Sequence, residues 1–200
     1  AQSKWSFELQ FGVVHNLDLP LTFKQAGYPD IRMQHADFYS EPLNDPPYWN
    51  WRFTRWKKKK SIEFEAVHHK FYLRNQPAEV ESFWITHGYN MIFLNHGREF
   101  GKYIVRAGAG TALVHPESTV RGMKYPYGPG FDMEGYMVRG VNLNISAARQ
   151  FKISKTFFVN AEAKVHAAVA NIPIVAGHAR VHIIVFQLIL GPGVNWRVRE

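Results

Sequence analysis

The feature of this chain that most restricts its fold is a two-residue alternation through Thr156–Val169. Its odd-numbered positions are apolar, whereas its even-numbered positions are polar from Asn160 to His166. Successive side chains of a β-strand point to opposite faces, so this pattern gives a ribbon with one apolar and one polar face. An amphipathic helix repeats about every 3.6 residues and would not divide the residues in this way. The segment is therefore predicted to be a strand.

The same alternation recurs along the chain and predicts eight strands and no helix. The predicted strands are Lys4–Val14, Tyr48–Trp56, Ser61–Tyr72, Glu81–Leu94, Gly101–Leu113, Met133–Ala147, Thr156–Val169 and His178–Val198. The phase of the alternation is ambiguous near Arg139, where a β-bulge is expected. Two hundred residues suit one domain, which we place at residues 1–200.

The connections between the predicted strands alternate between short turns and longer loops. The two longest loops are His15–Pro47 and Val114–Asp132, and a short strand is expected within the first at Ile31–Tyr39. Lys57–Lys60 is predicted to be a turn, and Asn95–Phe100 a second tight turn around its glycine. One end of the structure should therefore carry all the short turns, and the other end all the longer loops.

Two barrels fit this pattern, and they differ in which face of the sheet points inward. Closing eight antiparallel strands into a barrel removes the exposed sheet edges. In a soluble lipocalin-like barrel the apolar faces point inward, whereas in an outer-membrane barrel they face lipid and the charged faces fill the interior. Alternation alone is compatible with both arrangements.

Three features favour the membrane version. Short turns at one end and long loops at the other are typical of outer-membrane barrels. Strands of roughly ten residues or more can cross a bilayer when tilted. Aromatic residues also gather near strand ends, as in an interfacial girdle; they are Trp5, Trp49, Trp51, Trp84, Tyr103, Tyr136, Phe157 and Phe158. The predicted fold is therefore all-β, an eight-stranded antiparallel up-and-down transmembrane β-barrel.

With this pattern the whole chain resembles the small outer-membrane barrels, the class that includes the OmpA transmembrane domain, OmpX and the lipid A-modifying barrels. The resemblance is architectural and rests on no family-specific motif. It implies a location in the outer membrane of a Gram-negative bacterium. The chain begins at Ala1 without Met, which fits removal of a signal peptide. Barrels of this class usually end on an aromatic residue, and Trp196 is expected to take that role.

The polar faces of the predicted strands carry both charges and should form the barrel interior. We predict an interior polar network of Glu8, Glu63, Glu65, Arg106, Glu162, Lys164, His166, Arg180 and His182, with Arg52 in the same polar set. Eight strands leave just enough room for side chains to fill, so paired charges would satisfy the interior without water-filled space. A proton relay, or a metal site using His178 and His182, is the alternative. Neither a metal nor a cofactor is predicted, and the chain has no Cys.

A possible catalytic group lies at the start of the second long loop, where His115, Glu117 and Ser118 are close in sequence. Ser, His and an acid are the parts of an acyl-ester hydrolase. Residues this close seldom form a triad alone, so His35 or Asp37 from the first loop would be needed. The His and Ser two residues apart that the resemblance to lipid A deacylases would imply are not found. Catalysis is therefore the second hypothesis.

The basic turn Lys57–Lys60 follows an aromatic stretch that begins at Trp49, a combination also found on nucleic-acid surfaces. The Trp and Phe residues of that stretch alternate onto one face, which favours a solvated turn beside anionic head groups. The net charge of +8 suits either partner. We predict membrane lipid, including lipopolysaccharide, and other outer-membrane proteins as partners, and no nucleic acid.

The sequence thus predicts an integral outer-membrane barrel with a closed, charge-paired interior that is too narrow for a general porin. Its role should reside in the two long loops, as a structural or interaction component of the membrane or of a larger membrane complex. The alternatives are a lipid-modifying acyl-ester hydrolase or acyltransferase, and a soluble lipocalin-like carrier.

Overall fold

A computed structural model of the chain describes residues 2–41, 47–126 and 136–199. These residues form a single 13-stranded sheet, and they contain no helix long and apolar enough to cross a membrane. The strands are β1 (Gln2–Asn16), β2 (Leu19–Gln25), β3 (Ile31–Ala36), β4 (Phe38–Tyr39), β5 (Trp49–Lys57), β6 (Lys60–Leu73), β7 (Val80–Phe100), β8 (Tyr103–Val114), β9 (Glu117–Val120), β10 (Met123–Lys124), β11 (Met137–Lys152), β12 (Phe157–Ile174) and β13 (Gly177–Arg199).

Eight of these strands close into a ring in the order β1, β5, β6, β7, β8, β11, β12, β13. Every neighbouring pair in the ring is antiparallel, and β1 pairs with β13 to complete it. The ring strands correspond one by one to the predicted strands. The predicted up-and-down barrel is therefore confirmed. The remaining five strands extend the wall: β2 pairs with β13 and β3, β4 with β6, and β9 with β7 and β10.

One predicted turn is wrong. Strand β7 continues through residues 95–100, and the turn lies at Gly101 and Lys102 instead. A side chain at Gly97 would overlap the side chains of Ser61 and Glu63, which occupy the adjacent interior space. The glycine therefore belongs to the wall of a crowded barrel rather than to a turn.

The predicted loops His15–Pro47 and Val114–Asp132 are largely strand where the structure describes them, since they contain β2, β3, β4, β9 and β10. The predicted turn at Lys57–Lys60 and the expected bulge near Arg139 are confirmed. Lys57 and Lys60 close a tight turn in which Lys58 has a positive φ of 55°. The register of β11 against β8 shifts between Arg139 and Val141, and Gly140 between them has φ 83°, so the expected bulge is present. The start of the predicted strand Met133–Ala147 and the end of the loop Val114–Asp132 lie outside the described residues.

Above the short turns the barrel has a band with an apolar outside and a polar inside. On β11 the outward Leu143 and Ile145 are 58% and 57% exposed, whereas the inward Asn142 and Asn144 are buried. Soluble proteins rarely expose contiguous rows of large apolar side chains, whereas the outer face of a membrane barrel does so against lipid. This part of the barrel is of the membrane type, and the hypothesis of a soluble lipocalin-like barrel is wrong for it.

Towards the long-loop end the two faces exchange character. Strands β7, β12 and β13 have 21, 18 and 23 residues, against the roughly 9–11 that a tilted membrane strand needs. In the upper part of β13 the inward Val181 and Ile183 are buried, whereas the outward Arg180 is exposed. The barrel therefore rises beyond its apolar band into a segment with a hydrophobic core and a polar outside.

Candidate functional site

The membrane level of the interior is organised around Arg52 on β5, which is fully buried. Its Nη1 and Nη2 atoms donate to the two carboxylate oxygens of Glu162, each at 2.9 Å. Nη2 also donates to Glu65 at 2.9 Å, and Nη1 to Glu8 at 3.3 Å. The Nε atom lies 3.3 Å from the carboxylate of Glu63. One guanidinium thus serves four carboxylates from three strands, as its planar fork of donors allows.

Two further cations complete the network. Arg106 on β8 donates from Nε to Glu63 at 2.9 Å and from Nη1 to Glu162 at 3.4 Å. Lys164 on β12 forms ion pairs with Glu65 and, at 3.4 Å, with Glu162. Both are buried. Buried charges of this kind are tolerated only when they are paired and hydrogen-bonded, so the network fills and seals this level of the barrel.

Neutral side chains that the sequence analysis did not select finish the hydrogen bonding. Asn160 donates to Glu8 at 2.9 Å, Gln150 donates to Glu8 at 3.2 Å, and the Ser61 hydroxyl donates to Glu63 at 2.7 Å. Their signal in the sequence is their phase, since Asn160 and Ser61 alternate in step with the charged residues of their strands. A carboxylate can accept several hydrogen bonds, so neutral donors are expected wherever acids outnumber cations.

Arg180 and His182 do not belong to this network, contrary to the prediction. Arg180 is exposed on the outer face, and His182 is half-buried with its Nδ1 atom 3.0 Å from the carbonyl oxygen of Pro20. The prediction assumed that polar side chains of the last strand point inward along its full length. Beyond the apolar band the outside of the barrel is water, so the polar face of β13 points outward there.

His166 marks the boundary between the two kinds of interior. Its Nε2 atom lies 2.7 Å from Oε1 of Gln187, and its ring stacks on Phe93 with centroids 5.1 Å apart. Below it lies Lys164 with the charged network, and above it lies an apolar core. This core includes Leu21, Phe23, Phe38, Val67, Phe71, Phe83, Ile85, Tyr89, Met91, Ile172, Val181, Ile183 and Val185.

A group of hydrogen bonds centred on Arg121, which we call the clasp, closes the long-loop end above the apolar core. Arg121, in the turn between β9 and β10, donates from Nη1 to Gln25 at 3.0 Å and from Nη2 to the carbonyl oxygen of Pro29 at 2.9 Å. Gln25 in turn donates to the carbonyl oxygen of Val175 at 3.0 Å. The Arg121 guanidinium also lies 4.8 Å from the ring centroid of Tyr28. The clasp therefore connects three separate turns.

We use the name cap for the part of the barrel beyond the apolar band. The cap is formed by β2, β3, β4, β9, β10 and the upper parts of β6, β7, β12 and β13.

The residues predicted as a catalytic group lie within the cap. His115 is 1% exposed, and its ring centroid lies 4.9 Å from that of Tyr136, whose phenol pKa is raised by partial burial. Ser118, on β9, is also buried, and Glu117 beside it is half-buried. All three are thus at the expected end of the barrel, with His115 and Ser118 shielded from solvent.

The two first-loop residues considered as partners for a triad have other positions. Asp37 forms an exposed ion pair with Arg74 at 3.1 Å. His35 is exposed on β3, and its carbonyl oxygen accepts a hydrogen bond from Asn75 at 2.7 Å. Among the described residues there is no group of three or more His, Asp or Glu side chains that could hold a metal ion.

Comparison with known proteins shows a likeness in structure only. No protein-family model and no curated protein matches the chain. The solid-state NMR structure of the outer membrane protein AlkL in DMPC bilayers is similar with a TM-score of 0.57 and 11% identity, covering 98% of this chain and 92% of AlkL. Neisserial surface protein A gives a TM-score of 0.45 and 7% identity over 97% and 98% of the two chains. Ail of Yersinia pestis gives 0.42 and 10% identity over 98% of each chain.

The likeness to AlkL agrees with the geometry of the ring and shows a shared fold. An eight-stranded antiparallel barrel with an apolar outer band and a polar interior is the outer-membrane type. The resemblance to small outer-membrane barrels and the location in the bacterial outer membrane, both expected from the sequence, are therefore confirmed. In such barrels the short turns are periplasmic and the long loops extracellular. Here the cap lies at the long-loop end, and both described ends of the chain lie at the short-turn end.

Proposed function

We propose that this protein is a non-conducting barrel that presents its cap at the cell surface as an interaction component of the outer membrane. The observation that supports this most directly is the cap itself. A barrel that only spanned the membrane would not need strands about twice the spanning length, closed by the Arg121 clasp over a packed core. Ordering that much chain outside the bilayer has a large entropic cost, which a rigid interaction surface would justify.

The interior argues against transport through the ring. Solutes would have to pass the buried Arg52 and Glu162 pair, and then the apolar core around Phe83. Either layer alone would block an eight-stranded barrel, because such a ring is only wide enough for its own side chains. Planar-bilayer recordings of the purified protein should show no conductance above the bare membrane. Regular channel openings would contradict the proposal.

The cap offers two kinds of contact surface. Tyr28 and Trp84 are 49% and 39% exposed, and aromatic residues are enriched where proteins bind one another. On the outer wall, Lys24 and Arg180 are exposed on neighbouring strands β2 and β13. Lipopolysaccharide carries phosphates, which cations of this kind would contact. We propose lipopolysaccharide as the first partner and another outer-membrane protein as the second.

The lipopolysaccharide contact can be tested with charge-removing variants. The double variant Lys24→Gln/Arg180→Gln should retain less lipopolysaccharide than the unchanged protein after detergent purification. The matched control Lys59→Gln/Lys102→Gln removes the same charge from the short-turn end and should leave retention unchanged. Equal retention by both variants would contradict this partner.

A lipid acyl-ester hydrolase is the alternative function. It is supported by the burial of His115 and Ser118 in the same segment of the cap, a shielded environment of the kind that acyl transfer requires. It is the weaker proposal because Asp37, one of the residues considered as the third member, is paired with Arg74 at the surface. If Ser118→Ala or His115→Ala abolished a hydrolase activity on phospholipid or lipid A, the alternative would replace the first proposal.

A further inference from the structure

The short-turn end of the barrel is strongly basic. Its exposed cations are Arg55, Lys57, Lys58, Lys59, Lys60, Arg98, Lys102, Arg149, Lys152, Lys155 and Arg197. Among the described residues at this end the acids amount to the half-buried Glu99. The other acids that the structure describes lie in the interior network or at the long-loop end. This asymmetry means that the end facing the periplasm carries much of the excess positive charge of the chain.

Within this end, three cations lie directly beside one another on the outer wall. Lys57 on β5 is the register partner of Lys60 on β6, and Lys60 is in turn the partner of Arg98 on β7. Directly opposed residues on one face of a sheet have Cβ atoms only about 4.5–5.5 Å apart, and like charges in these positions destabilise a sheet. A row of three adjacent cations therefore calls for an anion that neutralises it.

The row lies at the lower edge of the apolar band. The next outward row, two residues further from the turn, contains Arg55, Ile62 and His96. The row beyond that is Phe53, Phe64 and Leu94, which are exposed and apolar. The two rows nearest the turn line a groove with Lys58 and Lys59 at its turn end, Ile62 within it, and Glu99 and Phe100 at its side. The row of Phe53, Phe64 and Leu94 continues the apolar wall above the groove. The order of charge and hydrocarbon along the wall matches that of a lipid, with the head group at the turns and the chains above.

We propose that this groove binds the phosphate head group of an anionic phospholipid of the periplasmic leaflet through Lys57, Lys60 and Arg98. The cations would donate charge-assisted hydrogen bonds to the phosphate oxygens, and the acyl chains would lie along Ile62 and Phe64. Basic pockets at a membrane surface are known to select anionic head groups in this way. The site is separate from the extracellular cap and does not depend on the function proposed for it.

The direction of the side chains favours lipid over a soluble polyanion. The three cations of the row lie an even number of residues from the exposed apolar residues Phe53, Phe64 and Leu94 on the same strands. Their side chains therefore point outward, to the side that faces the bilayer. A phosphate dissolved in the periplasm would meet Lys58 and Lys59 at the tip of the turn first. The three-cation row instead stands where phospholipid phosphates lie.

Native mass spectrometry of the detergent-solubilised barrel tests the site. The protein would be titrated with a phosphatidylglycerol and, separately, with a phosphatidylcholine of the same acyl chains. We expect preferential binding of phosphatidylglycerol, and a loss of this preference by about tenfold or more in Lys57→Gln/Lys60→Gln/Arg98→Gln, since each basic residue near an anionic lipid surface contributes about a fivefold gain. A shift on SDS gels between unboiled and boiled samples would show that each variant is folded.

The matched control is Lys102→Gln/Lys152→Gln/Lys155→Gln, which removes the same charge from the same end but outside the groove. The control should keep the lipid preference within about twofold. An equal loss in both variants would mean that net charge, and not the groove, attracts the lipid, and would overturn the proposal. Displacement of the lipid by millimolar inorganic phosphate would overturn it as well, because the ligand would then be a free anion.

Discussion

Arg52 and Glu162 face each other across the barrel through two parallel hydrogen bonds of 2.9 Å, with neither side chain reached by solvent. They belong to strands that are not neighbours in the ring, so the pair crosses the interior rather than following the wall. Bidentate geometry of this kind fixes both the distance and the orientation of the two groups. The pair therefore holds two non-adjacent strands of the wall, β5 and β12, at a set separation.

Replacing Arg52 with Met should destabilise the barrel by about 3–5 kcal/mol, because it leaves Glu162 and its neighbouring carboxylates buried without their main partner. Unfolding by urea in phospholipid vesicles, followed by the fluorescence of the six Trp residues, measures this loss. The exposed Arg149 offers a matched control, and Arg149→Met should cost less than about 1 kcal/mol. If adding Glu162→Gln to Arg52→Met gave a purely additive loss, the two groups would not be coupled.

A charge placed on the outer band tests the lipid-facing surface. Ile145 is 57% exposed near the middle of the band on β11, so Ile145→Arg should lower the free energy of unfolding in vesicles by about 2–4 kcal/mol. The control Asn171→Arg changes an exposed outward position on β12 beyond the band and should be nearly neutral. Comparable losses in the two variants would mean that the band does not end between these positions.

Loss of the Arg121 guanidinium should loosen the cap while leaving the ring intact. Arg121→Ala removes the hydrogen bonds to Gln25 and Pro29, and bonds from a charged donor contribute about 1.5–3 kcal/mol each. We expect faster trypsin cleavage after Lys24 or Arg32, detected by mass spectrometry of the fragments. Arg74→Ala, which breaks only the exposed pair with Asp37, should change the cleavage rate little. A cap as resistant to trypsin as the unchanged protein would show that the clasp is not what holds it closed.

Gly110 should not accept a side chain. A methyl group there would overlap the backbone carbonyl of Ile92 on the neighbouring strand. The two strands cannot move apart at this point without breaking the backbone hydrogen bonds between them. Gly110→Ala should cost about 1–3 kcal/mol and lower the yield of heat-modifiable protein on refolding. The adjacent Ala109 is exposed on the lipid-facing side, so Ala109→Val should refold normally. An equal yield from the two variants would show that Gly110 is not required for close approach of the strands.

The ring could be predicted from the sequence because alternation is a local signal. The polar and apolar phases of Thr156–Val169 agree with the buried and exposed sides of β12 throughout. Alternation alone allows a membrane barrel or a soluble barrel, and this structure combines both along its axis. The barrel is of the membrane type around Arg52 and has the apolar interior and polar exterior of a soluble barrel around Phe23.

What the sequence did not reveal depends on height along the barrel and on distant contacts. Alternation does not say where the surroundings change from lipid to water, so Arg180 was assigned to the wrong side. The Arg121–Gln25 hydrogen bond joins residues 96 positions apart, and no local pattern signals such a pair. Arg98 is another example: the sequence predicts a turn at residues 95–100, and a turn residue would not be assigned to a row of cations on the outer wall.

The seam between β1 and β13 has a consequence for how this protein is made. The two strands pair from Gln2 and Arg199 up to Asn16 and Val185, so the contacts that close the ring join positions nearly a whole chain apart. Contacts of such high sequence separation form slowly, because the entropy of closing the loop is lost before they stabilise anything. Until they form, both strands present open edges on which another chain could pair. A chaperone or insertion machine would therefore have to shield these two edges in particular until the ring is sealed.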